Sequence, residues 1–142
     1  MQPRTDVGLT HVALVVRDVT ASIAFYERFA RMQVVHRRRE ATEVAWLSDL
    51  TRPFVIVLIE GRVDARLAGF CHLGLGCASR EEVDRLCSEA TRDDRLALGP
   101  IDSGYPVGYW AFIRDPDGHN LEISYGQEVG LAVAEARKEA VR

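Results

Sequence analysis

Two histidines occupy the same place in two similar runs of sequence. His11 lies in Leu9-Thr10-His11-Val12-Ala13-Leu14-Val15-Val16, and His72 lies in Phe70-Cys71-His72-Leu73-Gly74-Leu75-Gly76-Cys77. A carboxylate, Glu122, follows in the late apolar run Leu121-Glu122-Ile123. Two imidazoles and one carboxylate suit a divalent metal, and three protein ligands leave positions open for substrate oxygens. Such a metal polarises a carbonyl, stabilises an enolate or, as Fe(II), binds dioxygen. Singly, each residue has a plainer reading. A strand histidine is usually a polar residue on a half-exposed face, and a strand glutamate is usually solvated. The equivalent placement of the two histidines raises the set above that background.

Elements of matching order must position these residues. The run at 8–16 alternates and is rich in β-branched residues, so it reads as a strand. Asp18 or Thr20 can cap a helix running to about residue 31. Strands are predicted at 33–38, 43–48 and 54–59. The second half repeats the order: a strand at 70–77, a helix at 79–91, and strands at 96–100, 105–114 and 119–125. Asp115-Pro116-Asp117-Gly118 is a strong turn signal between the last two strands. A terminal amphipathic helix is predicted at about 129–141. Residues 1–142 therefore read as a single α+β domain of two βαβββ modules, at about 7–61 and 69–126.

Strand alternation then assigns faces. Val12, Leu14 and Val16 should pack on the first helix, leaving His11, Ala13 and Val15 on the other face. Leu73, Leu75 and Cys77 should face the second helix, leaving His72, Gly74 and Gly76 opposite. Leu121, Ile123 and Tyr125 are the expected core face of the last strand, with Asn120, Glu122 and Ser124 opposite. All three candidate ligands thus fall on non-helix faces. The two glycines beside His72 remove side chains where a ligand needs room.

Composition bounds the function only mildly. The chain is 47% hydrophobic and 27% charged with a net charge of −3, which gives no general reason to expect nucleic acid. The basic run Arg37-Arg38-Arg39 closes with Glu40 and reads as a solvated strand end. No stretch is long enough to span a bilayer, and Met1 to Asp6 carries no apolar targeting segment, so a cytoplasmic location is expected. Cys71, Cys77 and Cys87 lack metal or redox spacing and are expected to be reduced core thiols. His36 reads as a surface strand residue and His119 as a support for the turn.

The first strand through Arg17-Asp18, the helix segment Ser22-Ile23-Ala24-Phe25-Tyr26, His72, and the run from Phe112 through Asp115-Pro116-Asp117-Gly118-His119-Asn120-Leu121-Glu122 resemble the vicinal oxygen chelate superfamily. That superfamily includes glyoxalase I, extradiol dioxygenases, fosfomycin-modifying enzymes and bleomycin-resistance proteins. The resemblance covers nearly all of the chain before the terminal helix. It implies paired βαβββ modules forming a cupped mixed sheet around one divalent metal (Fe, Mn, Ni or Zn), with helices on the outer face. The family's metal ligands carry over onto His11, His72 and Glu122. It further implies a small-molecule substrate and frequent homodimers. Two curved modules of one chain can then sit in different cups, with His11 from one chain and His72 and Glu122 from the other.

Departures from the family pattern narrow the chemistry. The further carboxylate ligand of glyoxalase I aligns with Val57, and Glu60 falls on the opposite face as a weak fourth candidate. The acid–base tyrosine of extradiol dioxygenases aligns with Phe112, which has no proton to give. A phosphonate site is disfavoured where Trp110 and Phe112 line the wall and Asp102 replaces a basic residue. A pocket lined by Val57, Trp110 and Phe112 suits a partly apolar substrate. The expectation is a metal-dependent lyase, isomerase or dioxygenase, with a metal-free, bleomycin-resistance-like binding protein as the alternative.

Overall fold

The computed structural model describes residues 6–141. The first module runs β1 (His11–Val16), α1 (Val19–Ala30), β2 (Gln33–Arg39), β3 (Glu43–Ser48) and β4 (Val55–Glu60). The second runs β5 (Leu73–Gly76), α2 (Arg80–Arg92), β6 (Leu96–Asp102), β7 (Tyr109–Arg114) and β8 (Asn120–Tyr125), followed by α3 (Val129–Ala140). The two modules build two four-stranded mixed sheets, ordered β1-β4-β3-β2 and β5-β8-β7-β6. Only the β1–β4 and β5–β8 pairs are parallel. The α+β architecture of two βαβββ modules is therefore as expected.

Local chemistry explains the elements. The Asp18 carboxylate caps α1 by accepting the Ala21 N–H, and Arg31 ends the helix in the left-handed region. Ser79 caps α2 by accepting the Glu82 N–H, while Glu82 accepts the Ala78 N–H. Glu81 and Glu82 sit in the first turn, where the helix dipole favours acids. Leu14 and Val16 of β1 and Ile56 and Leu58 of β4 are buried, as are Tyr26, Phe29 and Ala30 of α1. Val83, Leu86 and Ala90 of α2 and Ala111, Ile113, Leu121 and Ile123 of its sheet form the second core. Burying each large apolar side chain contributes roughly 1.5–3 kcal/mol. No described residue of α3 is buried, and Leu131 and Val133 stay open.

The chain divides into two compact units. One contains the residues up to Arg66 together with Asp115–Gly118, and the other contains Leu67–Arg114 and the residues from His119 onward. The turn thus clusters with the first unit although it joins strands of the second. Its carboxylates explain why. The buried Tyr26 hydroxyl donates to Asp115 at 2.8 Å. Arg17 donates to Asp117 through its backbone N–H at 3.1 Å and its side chain at 2.9 Å.

Several expectations need correction. β1 begins at His11 rather than at residue 8, because Gly8 sits at φ +90, outside strand geometry. β5 is four residues long, and Cys71 is exposed because its N–H closes a turn onto the Ala68 carbonyl before the strand begins. Cys77 is only half-buried, so Cys87 alone of the three is a core thiol. β7 begins at Tyr109, since residues 105–107 form a turn, and β6 runs on to Asp102. Tyr125 is 42% exposed, because it pairs with Tyr109, the first residue of β7, at the end of the sheet. The basic run is not simply solvated: Arg37 and Arg39 both bind the buried Glu43.

Candidate functional site

The strand registers make the two halves comparable residue by residue. Ala13 lies opposite Val57 in the first sheet, and Gly74 lies opposite Glu122 in the second. His11 and His72, each two residues before those positions, are therefore equivalent, and Val57 stands where Glu122 stands. The correspondence continues outward. Trp46 pairs with Val57 as Phe112 pairs with Glu122. His36 then pairs with Trp46 as Leu98 pairs with Phe112.

His72 and Glu122 come together on the second sheet. His72 Nε2 lies 3.5 Å from Glu122 Oε2. His72 Nδ1 lies 2.6 Å from the Phe70 carbonyl oxygen, which can only accept, so Nδ1 carries the hydrogen. A neutral His72 therefore aims the Nε2 lone pair at a carboxylate oxygen. Two acceptors facing each other call for a cation between them or for a proton on the ring. The first case has the form of a metal half-site, with the backbone carbonyl fixing the tautomer and orientation of the ligand. The surroundings fit that use. Glu122 is buried, and its other oxygen accepts a hydrogen bond from Gln127 Nε2 at 3.4 Å. A Cβ at Gly74 would stand at ordinary contact distance, 3.9 Å, from Glu122 Oε1.

Aromatic rings wall this face. The Phe112 ring lies 4.8 Å from that of His72 and 5.0 Å from that of Trp110. Trp110 spends its indole N–H on the Ser103 hydroxyl at 2.9 Å. Neither Phe112 nor Trp110 therefore offers a proton to this face. His119 is buried and accepts the Leu67 N–H at 3.0 Å, which supports the segment leading to β5.

His11 belongs to the first unit, where its Nδ1 lies 2.9 Å from the Thr10 hydroxyl. It lines a cavity of about 860 Å³. Val55 and Val57 form part of the wall, with Trp46, His36, Arg38 and Arg52 around them. Of the expected pocket residues, Val57 lines this cavity, whereas Trp110 and Phe112 belong to the other unit. His36 is a cavity residue and not merely a surface one. Glu60 is exposed at the end of β4. Among the described residues, no group of three or more His, Cys, Asp or Glu is placed to hold a metal ion. The structure thus joins two of the three expected ligands, and the third stands on the other unit. Gln127, the Phe70 carbonyl, Arg38 and Arg52 were not singled out from the sequence for the site. Only the alternation of His36 with Arg38 could have signalled any of them.

The fold defines a two-module βαβββ chain. The model of the Glyoxalase/Bleomycin resistance protein/Dioxygenase superfamily matches residues 8–123, and the chain belongs to that superfamily. It is 40% identical over 127 residues to the uncharacterized protein PA2024 of Pseudomonas aeruginosa, an alignment covering 86% of this chain and 91% of that one. Among solved structures it is similar to a glyoxylase/bleomycin resistance protein/dioxygenase domain from Frankia sp. EAN1pec. That match has a TM-score of 0.66 and 27% identity, and covers 88% of this chain and 96% of the other. A mutant of the fosfomycin resistance protein FosX from Listeria monocytogenes, complexed with Mn(II) and a dihydroxypropylphosphonic acid, shares the fold. Its TM-score is 0.68 at 17% identity, covering 91% of this chain and 99% of that one.

Proposed function

We propose that the chain is a divalent-metal-dependent enzyme acting on a small, partly apolar substrate that chelates through oxygens. One observation carries this reading: His72 Nε2 faces the buried Glu122 carboxylate at 3.5 Å. His72, Glu122 and His11 would hold one ion, with Fe, Mn, Ni and Zn all suited to the donor set. When bound, the ion supplies Lewis-acid chemistry at substrate oxygens. The chain's own residues do the positioning. The Phe70 carbonyl sets the His72 tautomer, Gln127 steadies Glu122, and Phe112 and Trp110 keep an apolar wall.

His11 would come from a second copy of the chain in a two-fold dimer holding two shared sites. Mixing tests this arrangement. Neither His11→Ala nor His72→Ala should bind metal tightly alone, and co-refolded heterodimers should regain one site. No recovery in verified heterodimers would place all three ligands within one chain.

Val57 in place of a carboxylate and Phe112 in place of a proton donor argue against glyoxalase I and catechol ring-cleavage turnover. A metal-free binding protein is the second reading. The first module favours it, because its cavity of about 860 Å³ is of ligand size and has no carboxylate opposite Ala13. Elemental analysis of protein purified without added metal separates the two. The enzyme reading expects close to one divalent ion per chain, and protein that neither carries nor takes up metal supports the binding protein.

A further inference from the structure

The run Arg37-Arg38-Arg39 splits between the two faces of its sheet. Arg37 and Arg39 converge on Glu43, with Arg39 donating to Oε2 at 2.9 Å and Arg37 to Oε1. Arg38 instead lines the cavity of the first module, where it donates to His36 Nε2 at 3.2 Å. A guanidinium can only donate, so this contact leaves its charge unneutralised. Among the described residues, Arg38 has no carboxylate partner. Arg52 lines the same cavity, and its nearest hydrogen bond is to the Thr51 hydroxyl at 3.5 Å. The neighbouring Asp49 carboxylate accepts the Thr51 N–H at 2.9 Å and hydroxyl at 2.6 Å and also attracts the Arg52 guanidinium, so Arg38 is the less compensated of the two arginines.

The rest of the wall is apolar or aromatic. Trp46 is 38% exposed on the cavity side, with the His36 ring packed 4.8 Å away. Val57 continues the surface. Among the described residues, the wall carries two arginines and one acid, Asp6. The chain as a whole carries −3. A cationic mouth over an aromatic shelf in an acidic protein selects by charge as well as by shape.

We propose that this cavity binds the carboxylate of a small aromatic or otherwise planar monocarboxylic acid, with Arg38 and Arg52 on the anionic group and Trp46 against the ring. With Arg52 shared with Asp49, the one guanidinium on this wall without a carboxylate partner among the described residues, Arg38, matches a singly charged carboxylate better than a doubly charged phosphonate. The assignment rests on the reading of the chain as taking a small, partly apolar, oxygen-bearing substrate, and it names the class of that substrate.

Calorimetry on the full chain with a metal chelator present tests it, using 2-naphthoate and the uncharged 2-naphthalenemethanol. The acid should bind at least about 10-fold more tightly, which corresponds to about 1.4 kcal/mol. Arg38→Gln and Arg52→Gln should each weaken the acid several-fold and leave the alcohol unchanged. Both arginines are exposed, and far-UV circular dichroism confirms that the variants fold. The acid should quench tryptophan emission in wild type and not in Trp46→Phe. Equal affinity for acid and alcohol, or full affinity in the double arginine variant, would overturn the proposal. Quenching that survives in Trp46→Phe, or tighter binding of 2-naphthylphosphonate, would do the same. Separate metal titrations keep the two readings apart. Naphthoate binding by a protein that takes no Mn(II) sinks the metal reading alone, and Mn(II) binding without naphthoate binding sinks this one alone.

Discussion

The two modules share one backbone plan and differ in what they present on the face away from the helix. At equivalent register positions the first offers Val57, Trp46 and His36, and the second offers Glu122, Phe112 and Leu98. Beside the histidines, the first has Ala13 and Val15, and the second has Gly74 and Gly76. Among the described residues, the second module alone pairs its histidine with a carboxylate, and it carries glycines on the same face. The first keeps its histidine beside an aromatic, cationic cavity. A duplicated fold supplies two copies of a scaffold, and a few face residues decide which copy holds donors and which shapes a pocket.

The sharpest way to break this comparison is to make the second module resemble the first. Glu122→Val should lower Mn(II) affinity at least about 100-fold by calorimetry, since loss of even an orienting partner costs roughly 10–100-fold. The reverse change sharpens it. Val57→Glu places a carboxylate opposite Ala13 near His11 and should tighten metal binding, and no gain would mean that the matching registers carry no chemical equivalence.

The next effect concerns the turn that clusters with the first unit. Tyr26→Phe removes the hydroxyl that donates to the buried Asp115 carboxylate and should cost about 1–3 kcal/mol in urea unfolding. Burial, and then the neighbouring Asp115, raise the Tyr26 pKa well above its ordinary value of 10.0. Tyr26 thus stays neutral in the folded chain while the unfolded chain ionises. Its contribution is complete below about pH 10 and declines as pH rises beyond that. Wild-type stability should fall in this alkaline range, and the fall should be smaller in Tyr26→Phe.

At the acid end, hydrogen bonds from Arg39 and then Arg37 hold the Glu43 carboxyl below its ordinary 4.5. A depressed carboxyl contributes its stability above the unfolded value and loses it as pH falls through the folded one. The urea midpoint should therefore drop below about pH 4.5, and Glu43→Gln should blunt that drop. The smallest effect belongs to Ser22, whose Oγ is buried with no hydrogen-bond partner among the described residues. Ser22→Ala should change stability by less than about 0.5 kcal/mol or raise it slightly. A loss above about 1 kcal/mol would reveal a hydrogen bond that this packing lacks.

Much of this was legible in the sequence because it rests on periodicity. The alternation of Val12, Leu14 and Val16 and the capping residue Asp18 marked the elements, and the repeat aligned Val57 with Glu122, as the registers bear out. Strand ends were less legible. The positive φ of Gly8 and the turn at Cys71 depend on backbone hydrogen bonds that alternation does not encode. The same holds for Gln127 on Glu122 and Arg52 in the cavity, since both reach their places from loops. Arg38 was hidden inside a basic run whose neighbours have a different partner.

The central claim is that His72 and Glu122 form part of a metal site. The direct test is calorimetric titration of wild type and His72→Ala with Mn(II), repeated with Fe(II), Ni(II) and Zn(II). Wild type should bind one ion per chain saturably, and the variant should bind at least about 100-fold more weakly. Equal binding by the two proteins, or none by wild type with any of the four metals, would contradict it.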